Sequence, residues 1–541
     1  MNPIKSLSDP KSKSVKIVYI CAFVIFAVLT FIGALNHEMW YDEAQAWNIA
    51  RDNDIAGIFG MMKHEGHPAL WHIILHILSK LGFKVAFLPL VSWFFSLITV
   101  GIILIKSPLH PVMNLSMVFA VGFLYANTVI SRVYCILQLI LVILACIYPK
   151  RKVHPVLYGL CIALLANTHI IMWGLIGVLG IYMLIELFTE FKKVSKKENA
   201  LRIAGLAIAG AGVLMLVLPL LECLTMNGNA SASQYSFAFK DIMSDLIHYT
   251  NNVGECFISF GKNKTISYFL CYFLGLLILL IPILMRHNIK YFILFISFMI
   301  GYFVASEVIW YSTVNRAAIF VLAAFITLWL IKAENNYAPK NKQLNLKMDS
   351  KLLKKIVQAV IKIDNKWYKN CCIVLTGIMM LSFPTAFYNL FKDYNSYFSV
   401  EKAAADWINE NISKDALIIS DKQTECVVLS AYYPEYDYYS LKYNSYYSYS
   451  MHSPVAEEYE YKEIEKILSN YDEVYFVAWE GNAYMESPVN HKDYLFKKNG
   501  NIELFFNDNY YCVSEFDLED FKEYKKSIED DKINSQIEYV L

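Results

Sequence analysis

Eleven long apolar runs, almost free of charge, constrain this chain more than any other feature. They lie at 15–35, 85–105, 113–130, 133–148, 155–168, 170–185, 203–221, 265–285, 291–306, 313–331 and 371–391. A helix needs about 20 residues to cross the hydrocarbon core of a bilayer. Most of the runs reach that length once flanking Tyr and Trp sit in the interfaces. Only Asn167-Thr168-His169 separates the fifth run from the sixth, so a helical pair with a tight turn is expected there, one long tilted helix being the alternative. The first run ends at Asn36-His37-Glu38, which offers no small-residue cleavage site, and reads as a span rather than a signal peptide. The chain is 56% hydrophobic and 18% charged, against about 25% charged in soluble domains. A purely soluble, fibrous or disordered chain is excluded. With 48 basic and 48 acidic residues there is no basic excess for nucleic-acid binding.

Lys and Arg set the expected orientation. With the N-terminus inside, segments 1–16, 106–112, 150–152, 189–202, 286–290 and 332–369 carry 25 Lys/Arg, and the opposite loops 36–84, 127–134, 222–264 and 307–316 carry 9. An odd number of spans then exports the C-terminal tail. That tail, 392–541, has 14 Lys/Arg against 30 Asp/Glu, as suits a water-soluble outer domain. The expected organisation is a membrane-embedded domain over 1–391 and an extracytoplasmic α/β domain over 392–541. In the tail, Val400–Ile412 reads as a helix, Ala416–Ser420 and Glu473–Trp479 as buried strands, and Ile502–Phe506 with Tyr510–Phe516 as an edge hairpin. The run Tyr438–Tyr449, rich in Tyr and Ser, reads as a mobile loop, with stacking on sugar rings as the other use of such residues. Lys351–Ile363 in the inner linker suits an amphipathic helix on the inner leaflet or a solvated loop. Cysteine is uninformative: most of the eleven lie in apolar runs, where they act as small hydrophobes. Cys223 and Cys256 flank one outer loop and are within reach of a disulfide, although no spacing requires it.

Charge is most concentrated where it is least expected, in the first outer loop. Two amphipathic helices fit within 36–84, one from about Ala44 to Met62 and one over Ala69–Leu81 with Pro68 at its first turn. Such helices lie along a membrane surface. Around them sit Asp42, Glu43, His64, Glu65 and His67. Acidic pairs at the end of an apolar span are costly there and point to function. Asp42 and Glu43 also suit the N-terminus of the following helix. His72 and His76 stand at i, i+4, a spacing that can hold zinc but that equally suits an interfacial pair.

Trp40-Tyr41-Asp42-Glu43-Ala44, followed by His64-Glu65-Gly66-His67-Pro68-Ala69-Leu70, resembles the start of the membrane glycosyltransferases of the C superfold. The resemblance is to the family 39-like branch, with the protein O-mannosyltransferases and lipid A aminoarabinose transferases. It continues through Ser131-Arg132-Val133-Tyr134, Thr168-His169 and Asn315-Arg316, and covers most of 1–332. It implies a polytopic helical fold with about eleven spans, two juxtamembrane helices in the first outer loop, and an exported domain. It also implies transfer of a sugar, with inversion, from a polyprenyl-phosphate donor to an acceptor glycan, lipid or protein at the outer face of a plasma membrane.

The residues accommodate that chemistry. An acceptor hydroxyl needs a carboxylate to take its proton, a role that falls to Asp42, with Glu43 as partner or as contributor to a divalent-metal site. The leaving lipid phosphate needs cations, available as His67, Arg132 and Arg316. His64, Glu65, Tyr134, His169 and Glu307 complete the expected pocket, Glu307 being equally suited to a structural pair with Arg316. Two departures stand out. Metal-using relatives often carry an acid in the loop between spans three and four, whereas Asn127–Tyr134 has none, which favours a metal-independent route. Some relatives have Lys before the Pro motif, where this chain has His67. The rival classes are a lipid-linked glycan transporter or flippase, which would show buried mid-span charge and broken helices, and a non-catalytic envelope assembly protein.

Overall fold

The computed structural model describes residues 12–65, 68–225, 250, 253–254, 264–285, 288–308, 314–337, 367–395, 398–451, 459–480, 494–496, 510–519, 521–522 and 525–526. Contacts divide the chain into two compact units. The first comprises Met1–Asn36, Met62–Trp71 and Leu88–Tyr394, and the second His37–Met61, His72–Phe87 and Asn395–Leu541. Most of the 36–84 segment therefore groups with the C-terminal domain.

The first unit is helical. Among the described residues seven helices are long and apolar enough to cross a membrane: Lys13–Asn36, Val85–Lys106, Ile170–Glu190, Lys196–Val217, Ile289–Ser306, Asn315–Glu334 and Trp367–Asn395. Shorter apolar helices cover Tyr134–Lys150, Pro155–Ala166 and Phe269–Ile283. The run expected at 113–130 is a short helix, Pro111–Phe119, continued by a wide turn of π-helix at Gly122–Ala126. The chain is a multi-pass membrane protein, and its exposed Ile20, Ile105 and Phe188 are side chains that lipid accepts and water does not. Asn315–Glu334 is the most enclosed span, with Phe320, Phe325 and Trp329 buried.

The break at Asn167-Thr168-His169 is present. One helix ends at Ala166 and the next begins with a turn of 3₁₀-helix at Ile170. Asn167 Nδ2 caps the first by donating to the Ala163 carbonyl (2.9 Å), and the Thr168 hydroxyl donates to Leu165 (2.7 Å). The Pro155–Ala166 helix packs backbone to backbone on the Lys196–Thr225 helix. A Cβ on Gly159 would lie 2.0 Å from the Gly205 carbonyl oxygen, and one on Gly205 would lie 2.3 Å from that of Pro155. Small residues are what allow such an approach between membrane helices.

At the opposite end of these helices lies an ionic clasp that the sequence reading missed. Arg151 Nε donates to Glu186 (3.0 Å) and its Nη2 to Glu334 (3.0 Å). Lys290 Nζ also reaches Glu334 (2.9 Å), and the Arg151 guanidinium stacks 4.1 Å from the Tyr148 ring centroid. Four helix ends are thereby tied together through groups far apart in the chain.

The expected 44–62 helix is two helices, Tyr41–Asp52 in the second unit and Ile55–Glu65, whose last residues from Met62 on belong to the first. The interruption is local chemistry. Asn53 takes an extended backbone and donates to the Ile49 carbonyl (2.9 Å), while Asp54 accepts the Gly57 amide (2.7 Å) and opens the second helix. The first helix is buried continuously from Glu43 to Ala50, so it is packed in protein rather than laid with one face on lipid. The expected 69–81 helix runs from Leu70 to Lys80.

The C-terminal domain is built on strands β1 (Leu417–Ser420), β2 (Asp437–Ser440), β3 (Ser445–Tyr446), β4 (Val474–Glu480), β5 (Tyr494–Phe496) and β6 (Tyr510–Glu515), in the order β3-β2-β1-β4-β6-β5. β1 lies parallel to both β2 and β4 and is wholly buried, as a strand covered on both faces must be. Alternate side chains serve opposite cores. Ile418 packs with Ala404 and Ile408 of the Val400–Asn411 helix, and Leu417 and Ile419 pack with Ile464 and Phe521. β6 is interior, between β4 and β5, rather than at the edge, and Ile502–Phe506 lies outside the described residues. The Tyr438–Tyr449 run is not a mobile loop. It forms β2 and β3 around Asn444, whose φ of 46° is a left-handed value that Asn tolerates. Lys351–Ile363, Cys223 and Cys256 lie where side chains are outside the description.

Candidate functional site

Each unit holds one group of the expected residues. In the first unit, Tyr134, His169 and Arg316 come together from three helix ends. Arg316 Nε donates to the Tyr134 hydroxyl oxygen (3.1 Å), and His169 Nε2 lies 3.3 Å from the same oxygen, the two rings stacked at 5.4 Å. The Arg132 guanidinium carbon stands 5.8 Å from the Tyr134 ring centroid. All three members of the trio are buried.

Hydrogen positions in the trio follow from its partners. His169 Nδ1 accepts the Ile171 amide (3.2 Å), so that nitrogen carries no proton in the neutral ring. Burial, reinforced by the charges of Arg316 and Arg132, holds the His169 pKa well below its ordinary value and keeps it neutral. Its proton is then on Nε2 and is donated to Tyr134. The Tyr134 oxygen thus receives two donors, which fills both its lone pairs. The phenolic hydrogen of Tyr134 remains to be donated to an acceptor beyond the trio. Asn315, which precedes Arg316 in the chain, is buried with its side-chain oxygen lacking a hydrogen-bond partner among the described residues. Two guanidinium groups, a neutral imidazole and a hydroxyl hydrogen make a site suited to an anion.

The second unit holds the acidic pair. Asp42 occupies the second position of the Tyr41–Asp52 helix and is half-buried. Glu43 is fully buried, 3.0 Å from His37 Nε2, and its Oε2 also accepts the Trp40 amide (3.3 Å). The His37 ring lies tilted against that of Phe398, their centroids 4.5 Å apart. The two neighbouring acids therefore differ in kind. Glu43 is the interior cap of its helix, while Asp42 is at the more accessible position. As a metal-ligand pair they fit poorly, because Glu43 is already committed to His37 and the helix cap. Among the described residues no three His, Cys, Asp or Glu side chains gather in a metal-binding arrangement.

Glu65 is buried and His64 half-buried at the end of the Ile55–Glu65 helix. His67 lies outside the described residues, as does the side chain of Glu307. His72 is buried, and His76 Nδ1 sits 2.8 Å from the Ala50 carbonyl oxygen, so the i, i+4 histidines have separate surroundings. Sequence reasoning passed over His37 as one more loop histidine. It also passed over Gln45 and Asn48, whose signal is present: two amides in an otherwise small and apolar stretch, Ala44-Gln45-Ala46-Trp47-Asn48-Ile49-Ala50.

No family model matches this chain, and no curated protein matches it. Among solved structures it is similar to the crystal structure of ArnT from Cupriavidus metallidurans bound to undecaprenyl phosphate, at 11% identity and a TM-score of 0.48, over 92% of this chain and 98% of that one. A likeness at that level assigns no activity to this chain.

Proposed function

We propose that this protein is an inverting glycosyltransferase that moves a sugar from a polyprenyl-phosphate donor to an acceptor on the outer face of the membrane. The observation that carries the reading is the Tyr134 oxygen, which takes hydrogen bonds from both Arg316 and His169 and so leaves its own hydrogen for a further acceptor. A membrane lipid phosphate is the anion that a helical membrane unit meets most readily, and a guanidinium fork suits two phosphate oxygens. In the transfer, an acceptor oxygen bonds to the anomeric carbon from the face opposite the phosphate. The carbon–oxygen bond to phosphate breaks, and its electron pair leaves on the phosphate, where Arg316, Arg132 and Tyr134 stabilise the charge. The acceptor proton passes to the Asp42 carboxylate. Glu43 acts through His37 and the helix cap. His67, His64, Glu65 and Glu307 remain candidates for the surrounding pocket, and the divisions at residues 391 and 392 remain the proposed limits of the membrane and exported domains.

Purified full-length protein, titrated with undecaprenyl phosphate, tests the donor site. Saturable binding that Tyr134→Phe and Arg316→Ala each weaken, with no binding of undecaprenol, supports the reading. Equal binding of the alcohol and the phosphate would overturn it.

A further inference from the structure

The Tyr41–Asp52 helix presents a row of side-chain amides to the rest of its own unit. Gln45 Nε2 donates to the Ser450 carbonyl (2.7 Å), and the Ser450 amide donates back to Gln45 Oε1 (2.9 Å). Three residues on, Asn48 Nδ2 donates to the carbonyls of Val427 (2.8 Å) and Ser448 (2.6 Å) and lies 2.9 Å from Ser430 Oγ. The Ser448 hydroxyl donates to Asp52 Oδ2 (2.5 Å). Positions 45, 48 and 52 share one helical face, and Asp42 begins that stripe three residues ahead of Gln45. Gln45 and Asn48 are 2% and 0% exposed.

This docking reads backbone. Burying the apolar members of the helix asks only for an apolar residue at position 48, and such a contact slides at little cost. Two carbonyl oxygens around one side-chain NH₂ permit a single height and a single rotation. Asp has the shape of Asn, but its carboxylate would face those carbonyls with no hydrogen to offer.

We propose that Asn48 is a positioning residue for Asp42. It fixes the helix on the Ser448–Ser450 segment, so the exported domain determines where the carboxylate stands. The proposal rests on the reading of Asp42 as the base. A base must lie within hydrogen-bond reach of the proton it takes, and a displacement of about 1 Å is enough to cost about 100-fold in rate.

The test uses full-length protein in cells that lack the native copy, with sugar transfer to surface glycans measured at matched membrane abundance. Undecaprenyl phosphate binding is measured on the same purified variants. Asn48→Asp is expected to lower transfer about 10–100-fold while binding stays within about twofold, because only placement of the base changes. Gln45→Ala should give a smaller loss in the same direction. Asn53→Ala, which loses a contact with Tyr449 at the far end of the helix, should transfer normally. Normal transfer by Asn48→Asp beside an inactive Asp42→Asn would overturn the positioning role and leave the base intact. If Asn48→Asp loses binding and transfer together, Gln45→Ala decides, and normal transfer by that variant overturns the proposal. Normal transfer by Asp42→Asn would remove the base itself, and the positioning role with it.

Discussion

Arg316 and Glu334 stand at opposite ends of one enclosed helix, Arg316 with Tyr134 and Glu334 with Arg151 and Lys290. At 1.5 Å per residue their separation along the axis is about 27 Å, close to the thickness of a bilayer's hydrocarbon core, about 30 Å. The two polar clusters of the first unit therefore bracket one membrane's depth of apolar side chains.

That placement, with the 25-to-9 split of Lys and Arg, predicts the topology. In a cysteine-free background, a single Cys at position 445 should be labelled by a membrane-impermeant reagent added outside, and one at position 195 should not. The reverse pattern would invert the assignment and move both candidate groups to the wrong face.

Arg316→Lys keeps the charge but loses the Nε contact to Tyr134 and the planar fork. Donor dependence should weaken in this variant and weaken further in Arg316→Ala, by about 2–4 kcal/mol in transition-state stabilisation. Donor titration checks it. An unchanged dependence in both variants would leave Arg316 a structural residue.

The outline of the site was legible because its residues mark places where the chain breaks an apolar pattern. Asn167-Thr168-His169 interrupts a run, Arg132 and Tyr134 sit in a short turn, and Arg316 opens a span. What these residues do to one another was not legible, since the Tyr134 contacts join positions 35 and 182 residues apart. The division of labour between Asp42 and Glu43 was hidden for a different reason. Either acid suits the first helical turn, and only the His37 side chain folded against it shows which one is interior. The Asn53 break was missed because apolar spacing continues through it while the backbone does not.

Close packing of the Pro155–Ala166 helix makes a sharp prediction. Gly205→Ala would drive a Cβ to 2.3 Å from a backbone oxygen, whereas Gly210→Ala meets nothing within 4 Å. The first should destabilise the protein by about 1–3 kcal/mol. The second should be neutral or slightly stabilising, by up to about 1 kcal/mol. Thermal unfolding in detergent compares them, and equal effects would contradict the helix contact.

In the C-terminal domain, burial pushes the Glu425 carboxyl up to about 8, against the pull of the Lys422 amide it accepts. The folded chain then holds a proton that the unfolded chain releases above its ordinary pKa of 4.5. The stability this group contributes is fully present below that value and lost as pH rises towards 8, at up to about 1.4 kcal/mol per pH unit. Hydrogen exchange of the 415–432 segment in the full-length protein should quicken between pH 5 and 8 beyond the intrinsic rate. Glu425→Gln should flatten that trend. An identical trend in both proteins would place the proton elsewhere.

The central claim is sugar transfer that needs Asp42, and mass spectrometry of cell-surface glycans tests it most directly. Cells lacking the protein should lose one sugar from a surface polymer, lipid or protein. Wild-type protein should restore it, and Asp42→Asn at equal membrane abundance should restore it about 10²–10⁴-fold more slowly. Surface glycans identical with and without the protein, or fully restored by Asp42→Asn, would contradict the account.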